Sequence, residues 1–487
     1  MEFLTPQKKK EKARRLYIGY ALFGILISLA TYIMISTALG YEIFSTKGEI
    51  VQNGLLFVDS RPSDAQIYIN DSKESSNTNA KLSLPEDSYP ITLRKDGYRD
   101  WKKTVNLMGG KVFFLTYPRL LPVAPKEVDS RSYTNEPEIL QSRDKRWLAL
   151  YPGSSANDIY LQDLENPTAD IVTITLPSAV LEGSTTSSCT FVEWAGDNVH
   201  FLVRLNLSNG KEKSVVINRE KPLESYDLNA LLGTASTSRH YFWDGKWDKI
   251  AVHEATGTVR LADIKEKSVS AGPLIVEQVK NLYILGGETA VYTVMNNDLT
   301  DVKFYKDSKT YVILSYKSNG GALTVKGAGF NRNDYLLIAG DGLEKAYIYK
   351  NLLDAIQKSS TGRAAPFAIM PLASSYGEFS RSNRFVFGTE GNEMVVYDIE
   401  QRELKKYSLD GDKPLVVGWL DDSRLYSRST NNDLSVMDYD GQNNYLLSEN
   451  VVSIPYTDRN IEYSAFLVKG EALPPAFCII DIASESK

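Results

Sequence analysis

The segment RFVFGTEGNEMVVYD, residues 384–398, consists of two apolar runs separated by Gly391-Asn392. Gly and Asn tolerate the backbone that a tight antiparallel reversal needs, so the segment reads as a β-hairpin. Thr256-Gly257 and Asp341-Gly342 stand between similar runs. Working outward with the same grammar gives eight strand pairs: 147–164, 199–218, 250–264, 291–305, 335–349, 385–399, 425–439 and 463–481. Their first residues are 52, 51, 41, 44, 50, 40 and 38 positions apart. The mean, about 45, is the spacing of four-stranded propeller blades. Shorter apolar runs such as Cys189 to Trp194 and Leu415 to Trp419 precede several pairs and supply a strand nearest a central axis.

The expected fold is therefore mainly β, with a C-terminal β-propeller over 125–487 of eight blades, or seven if one irregular pair is not a blade. Ring closure calls for a strand borrowed from the N-terminal side, for which Ser132 to Leu140 is the nearest stretch. Asn351 to Lys358 reads as a helical turn or two inserted between blades. Two stretches, ILQSRDKRWLALYPGSSANDIYLQDL (139–164) and EFSRSNRFVFGTEGNEMVVYDI (378–399), are similar to the WD40-like repeats of TolB-type propellers. The Asp-Gly usual in that repeat's turn is Asp144-Lys145 in one and Ser382-Asn383 in the other. The resemblance implies a repeat style and no partner.

Charge is unevenly spread. Lys8, Lys9, Lys10, Lys12, Arg14 and Arg15 face only Glu2 and Glu11, a net of +4 in a chain whose total is -6, so the remainder carries -10. An acidic body argues against nucleic acid, whose phosphates demand clustered cations. After the basic tail (1–15) comes LYIGYALFGILISLATYIMISTAL, residues 16–39, with no charged residue. As a helix it is about 36 Å long, enough for a hydrocarbon core of roughly 30 Å. Tyr17, Tyr20 and Tyr41 lie near its ends. It is too long for a signal-peptide core, Ser36-Thr37-Ala38 is a poor cleavage site, and it has no polar face. The expectation is one transmembrane helix in a bacterial cell membrane, with the N-terminus cytoplasmic and the rest extracytoplasmic.

Between Asn53 and Pro118, short alternating runs separated by Pro, Asn, Asp and Gly read as a small antiparallel sheet or sandwich. VDSRPSDAQIYIND (58–71) and LPEDSYPITLRKDGYRDWKKTVNL (84–107) resemble the PEGA domain, a small β module of exported bacterial proteins. The matching positions are Ser60, Pro62, Ala65, Tyr68 and Ile69, then Leu84-Pro85-Glu86, Tyr89, Gly97-Tyr98 and Trp101. The family's usual turn glycines are Asp64 and Asp87 here. Asp tolerates positive φ better than most residues, so both turns are expected to survive. Pro118, Pro122 and Pro125 mark a linker between about Tyr117 and Glu136.

No motif for catalysis, cofactor or metal emerges. His200, His240 and His253 are expected in different blades, without zinc spacing. There is no Gly-x-Ser-x-Gly elbow and no phosphate-cradling loop. Asn296 to Asp301 and Asp438 to Gly441 offer oxygen ligands, but turn chemistry explains them and neither follows the calcium loop. Cys189 and Cys478 are expected unpaired, in nonadjacent blades. No cofactor is expected. The expected partners are the lipid bilayer, through the helix, and an envelope protein or cell-wall glycan bound by a propeller face. The alternative is a glycan- or peptide-cleaving enzyme built on axial carboxylates.

Overall fold

The computed structural model describes residues 6–38, 40–42, 51–153, 157–374, 376–409, 414–470 and 473–483. Leu39, the end of the expected span, and residues 1–5 and 484–487 of the terminal regions lie outside them. The chain divides into two compact units, residues 1–124 with 485–487, and 125–484.

The first unit opens with a helix, Pro6–Ala38, that starts ten residues before the apolar run. Lys, Arg, Gln, Glu and Ala in the basic segment are strong helix formers, so the tail extends the helix by propensity alone. From Lys10 to Ala38 the helix is long and apolar enough to cross a membrane, and none of its most apolar stretch is buried.

The rest of this unit is a sandwich of two four-stranded sheets. One joins Tyr41–Glu42, Val51–Val58, Ala80–Pro85 and Val112–Leu115; the other joins Ser72–Asn77, Gln66–Ile69, Asp87–Arg94 and Trp101–Leu107. Leu56, Val58, Ile67, Ile91, Leu93, Trp101 and Val105 form the shared core. One pair, Val51–Val58 with Val112–Leu115, is parallel rather than antiparallel. Asp64 takes the positive φ (61°) expected of a glycine substitute, and Asn77 Nδ2 donates to its Oδ1 at 2.8 Å. Asp87 does not; it begins a strand. The expected linker is also mostly structured. Arg61 N donates to Pro118 O, Arg99 N to Leu121 O, and Val123 N to Gly97 O, which fastens 118–123 to the module. Residues 126–132 are a strand of the second unit. Prolines ended the strands as expected, but each leaves its carbonyl available to accept.

Among the described residues the second unit holds eight four-stranded antiparallel sheets in chain order. They span 138–175, 186–227, 239–269, 279–316, 323–370, 376–408, 416–448, and 456–481 completed by 126–132. First strands of successive sheets lie side by side, as 138–141 beside 186–194 and 323–330 beside 376–379. Gln141 Nε2 donates to Thr457 O and Tyr456 Oη to Ile139 O, joining the eighth sheet to the first. That closed ring is a β-propeller. Its closing strand is Lys126–Ser132 rather than 132–140, because Glu138–Gln141 is already the first strand of the first sheet. Backbone pairing selects this polar segment, and alternation could not have revealed it.

The repeat resemblance has a physical basis. The Asp ending the third strand accepts from backbone N–H groups just beyond it and pairs with a basic residue that leads into the second. Asp163 accepts from Glu165 N and binds Arg146 at 2.7 Å; Asp398 accepts from Glu400 N and Gln401 N and binds Arg384 at 2.7 Å. Asp263 does the same with Lys265 N, Glu266 N and Lys249. Lys145 (φ 68°) and Asn383 (φ 61°) adopt the left-handed backbone where the family has glycine. The expected insertion is a helix, Leu352–Lys358, and it lies between the third and fourth strands of the fifth sheet, not between sheets.

Candidate functional site

The ring's inner strands bring half-buried ionisable groups together. Glu193 is on Thr186–Trp194, which carries a bulge between Phe191 and Glu193. Such a bulge re-aims the side chain that follows it. Glu193 Oε1 accepts from Phe242 N at 2.7 Å, and Oε2 from Arg143 Nη2 at 3.1 Å. Arg143 Nε also donates to Trp194 O at 2.8 Å. One carboxylate therefore ties the first three sheets together. Its burial raises its pKa, against the opposing pull of the Phe242 N–H and Arg143.

Glu378, on Tyr376–Phe379 of the sixth sheet, is likewise raised by burial, opposed by Lys326 of the fifth sheet and Lys145 of the first. Burial lowers Lys145 in turn, against the attraction of Glu378. Arg381, from the turn after Glu378, donates to Asp458 O at 3.1 Å and to Arg459 O at 2.5 Å in the eighth sheet. Charges from the first, fifth and sixth sheets thus meet on this side of the ring, with backbone carbonyls of the eighth receiving Arg381.

Beside this cluster lies a cavity of about 960 Å³. Inner strands of sheets two to five line it with Val192, Glu193, Tyr241, Leu282, Tyr283, Leu285, Val325 and Lys326. Gly327 lets the fifth sheet approach the fourth, since a Cβ there would stand 3.3 Å from Leu285 Cδ2. Leu352, Leu353 and Asp354 of the inserted helix, with Asp334 and Arg332, form its outer lip. The lining mixes aliphatic and aromatic surface with a few charges, as ligand sites do. None of these residues belongs to a local motif. Their only sequence signal was the helical insertion, because the axis is assembled from strands 40 to 50 positions apart.

The histidines do not converge. His200 stacks on Trp247, while His240 and His253 share the third sheet, a correction to their expected separation into different blades. Among the described residues no group of three His, Cys, Asp or Glu is placed to hold a metal. Asn296 Nδ2 donates to Asp301 Oδ2 across the tip of a hairpin, and Asn443 Nδ2 to Asp438 Oδ2 at another. Cys189 and Cys478 are both free and both buried.

His240 carries a prediction. It is 1% exposed, its Nε2 lies 3.1 Å from Thr234 Oγ1, and its buried Nδ1 has no partner among the described residues. Burial, aided by Arg204, lowers its pKa to about 4. An unfolded histidine takes a proton near 6.5, so between 6.5 and about 4 the unfolded chain binds more protons than the folded one. The stabilisation is complete above pH 6.5 and is lost as pH falls toward 4, by about 3 kcal/mol in all. Urea midpoints measured across that window are expected to fall less in His240→Phe than in the parent; equal slopes would refute the assignment.

Residues 53–119 match the PEGA domain family. No curated protein matches the chain. Among solved structures, it is similar to the C-terminal WD40 domain of Sif2 (12% identity, TM-score 0.47, 73% of this chain and 98% of that one). It is similar also to BamB from Moraxella catarrhalis (10%, 0.44, 74% and 100%) and to the computationally designed Ika8 protein (13%, 0.41, 73% and 100%). The chain thus combines an apolar N-terminal helix, a PEGA domain and a β-propeller.

Proposed function

We propose that this chain is a membrane-anchored, extracytoplasmic scaffold of the bacterial cell envelope, with residues 1–15 cytoplasmic, and that it binds rather than catalyses. The cavity between the inner strands of sheets two to five and the Leu352–Lys358 helix takes a segment of an envelope protein or a strand of wall glycan. The observation that carries this reading is how the axial carboxylates are engaged. A glycosidase needs two carboxyl groups free to act as acid and base or nucleophile. Both oxygens of Glu193 are engaged by Arg143 and Phe242 N, and Glu378 is half-buried in the field of Lys145 and Lys326.

The test incubates the detergent-solubilised full chain with immobilised wall glycan and with envelope protein. Retention without product is expected, and Lys326→Glu, which reverses a charge in the lining, is expected to weaken it. Turnover abolished by Glu193→Gln or Glu378→Gln would replace binding with catalysis. Orientation is tested separately. Protease added to spheroplasts is expected to digest the region after Tyr41 and spare the first 15 residues.

A further inference from the structure

Outside the helix, the described residues of the first unit expose four large apolar side chains, and three of them lie close together in sequence: Met108, Val112 and Phe114, exposed by 63%, 50% and 62%. Met108 lies at the end of the sandwich that adjoins the helix, and Val112 and Phe114 lead away from it along a strand. Gly40 N donates to Thr37 O in the last helical turn, Asn53 N to Gly40 O, and Gly110 N to Asn53 O, at 3.0, 2.7 and 3.0 Å. Three consecutive backbone hydrogen bonds therefore hold the Met108–Lys111 turn beside the helix end. The turn is tight. A Cβ on Gly109 would stand 2.9 Å from Glu86 Oε2, and one on Gly110 2.6 Å from Gln52 Nε2, so the backbone packs inward while Met108 stays exposed.

The apolar surface continues along the sheet. Register sets Val112 beside Leu55 and Phe114 beside Phe57, and Lys81 opposite Phe57, all on one face. Phe57 and Phe114 stack at 5.1 Å, with Lys81 Nζ 5.8 Å over the Phe57 ring. The inward alternates, Leu56, Val58 and Leu115, already fill the core, so among the described residues this outer face has no partner within the module. Lys81 and Lys111 flank it, and Glu86, from the loop beside the turn, accepts from Gly109 N. Apolar side chains edged by lysine suit a phospholipid interface, where the rings and methylenes enter the headgroup layer and ammonium groups meet phosphate.

We propose that this face of the PEGA domain rests on the bilayer its own helix crosses, with Met108 and Phe114 in the interfacial layer and Lys81 and Lys111 at lipid phosphates. The inference rests on the reading that the helix spans the membrane. The occupant is lipid, because hydrogen bonding to the end of an apolar helix places the turn at the membrane surface.

Cys189 and Cys478 are buried, so single cysteines introduced at exposed sites take a fluorophore selectively. Met108→Cys, Phe114→Cys, Leu26→Cys within the helix and Asp96→Cys are each labelled with NBD in the full chain. The proteins are then reconstituted in phosphatidylcholine–phosphatidylglycerol vesicles with and without nitroxide lipid. Asp96 lies beyond the far end of Trp101–Leu107, about 20 Å from Leu107 at the usual strand rise, and is the aqueous reference. Blue-shifted emission at 108 and 114, with loss of most of the fluorescence to nitroxide lipid, is the expected result. Emission like that of position 96 overturns the proposal alone if position 26 is quenched, and overturns the membrane-spanning reading with it if position 26 is not. A blue shift without lipid quenching means that protein covers the face, and also overturns it.

Discussion

A chain lacking residues 126–132 is expected to keep its PEGA domain folded and lose the integrity of its propeller. Lys126–Ser132 pairs with Ala476–Asp481 from Ser132 opposite Ala476 to Lys126 opposite Asp481. Its side chains are exposed or half-buried throughout, so backbone hydrogen bonds, not burial, hold it. At about 1 kcal/mol each, the ladder is worth on the order of 5 kcal/mol. The structural consequence is larger than that sum suggests. The segment precedes the first sheet in the chain and completes the eighth, so it ties the two ends of the ring. Without it those sheets still meet through the cluster of Leu148, Leu150, Leu467, Phe477 and Ile479 and through the Gln141–Thr457 and Tyr456–Ile139 bonds. The freed edge of Ala476–Asp481 also becomes a template for intermolecular pairing. Thermal unfolding of the variant is expected to shift well below that of the parent, with early proteolysis near 476–481. A synthetic peptide of residues 126–132 is expected to restore part of the loss. An unchanged midpoint, or a deficit that the peptide does not touch, would show that the ring closes without this strand.

Arg424→Ala is expected to cost the propeller about 3–5 kcal/mol, the usual penalty for stranding a buried charge. Arg424 Nε lies 2.7 Å from Asp421 Oδ2, and the side chains are 4% and 0% exposed. Asp421 Oδ1 also accepts from Ser423 N and Arg424 N, which shapes the turn into the second strand of the seventh sheet. Removing the guanidinium leaves a desolvated carboxylate without its counter-charge, still accepting from the Ser423 and Arg424 N–H groups. Arg424 Nη1 is itself buried and unpartnered among the described residues, so the pair is not optimised and a neutral replacement need not be worse. The double variant Asp421→Asn with Arg424→Met is accordingly expected to be more stable than either single change. Denaturant midpoints of the four proteins form a double-mutant cycle. Single variants within about 1 kcal/mol of the parent would place the pair in an environment far wetter than its exposure indicates.

The contrast between the two cases marks how far the sequence reads. Arg424 precedes an apolar alternating run, and the alternation was enough to find that strand; its ion pair with Asp421, three residues away, was not anticipated. Lys126–Ser132 has no apolar alternation, and Ser72–Asn77 in the PEGA domain is more polar and more exposed still. Lys126–Ser132 is a strand only because the distant Ala476–Asp481 presents an edge, and Ser72–Asn77 because Gln66–Ile69 presents one across the Asn70-Asp71 turn. Sequence patterns alone cannot find them, since the information lies in the partner.

The sequence by itself determined the apolar helix, the PEGA domain and the repeated strand pairs, because each is specified by local periodicity: an uninterrupted apolar run, an ordered turn-and-aromatic pattern, and alternation broken by Gly, Asn and Asp. Only the tertiary structure decided what the repeats assemble. Which segment closes the ring depends on a distant backbone edge, that His240 and His253 share a sheet on where the hairpin register falls, and that the 352–358 helix edges a cavity and that Glu193 and Glu378 face cations from other sheets on side chains about 40 or more positions apart coming together. A strand's alternation says which face is buried, not which distant strand buries it, and the candidate site of this propeller is made entirely of such meetings.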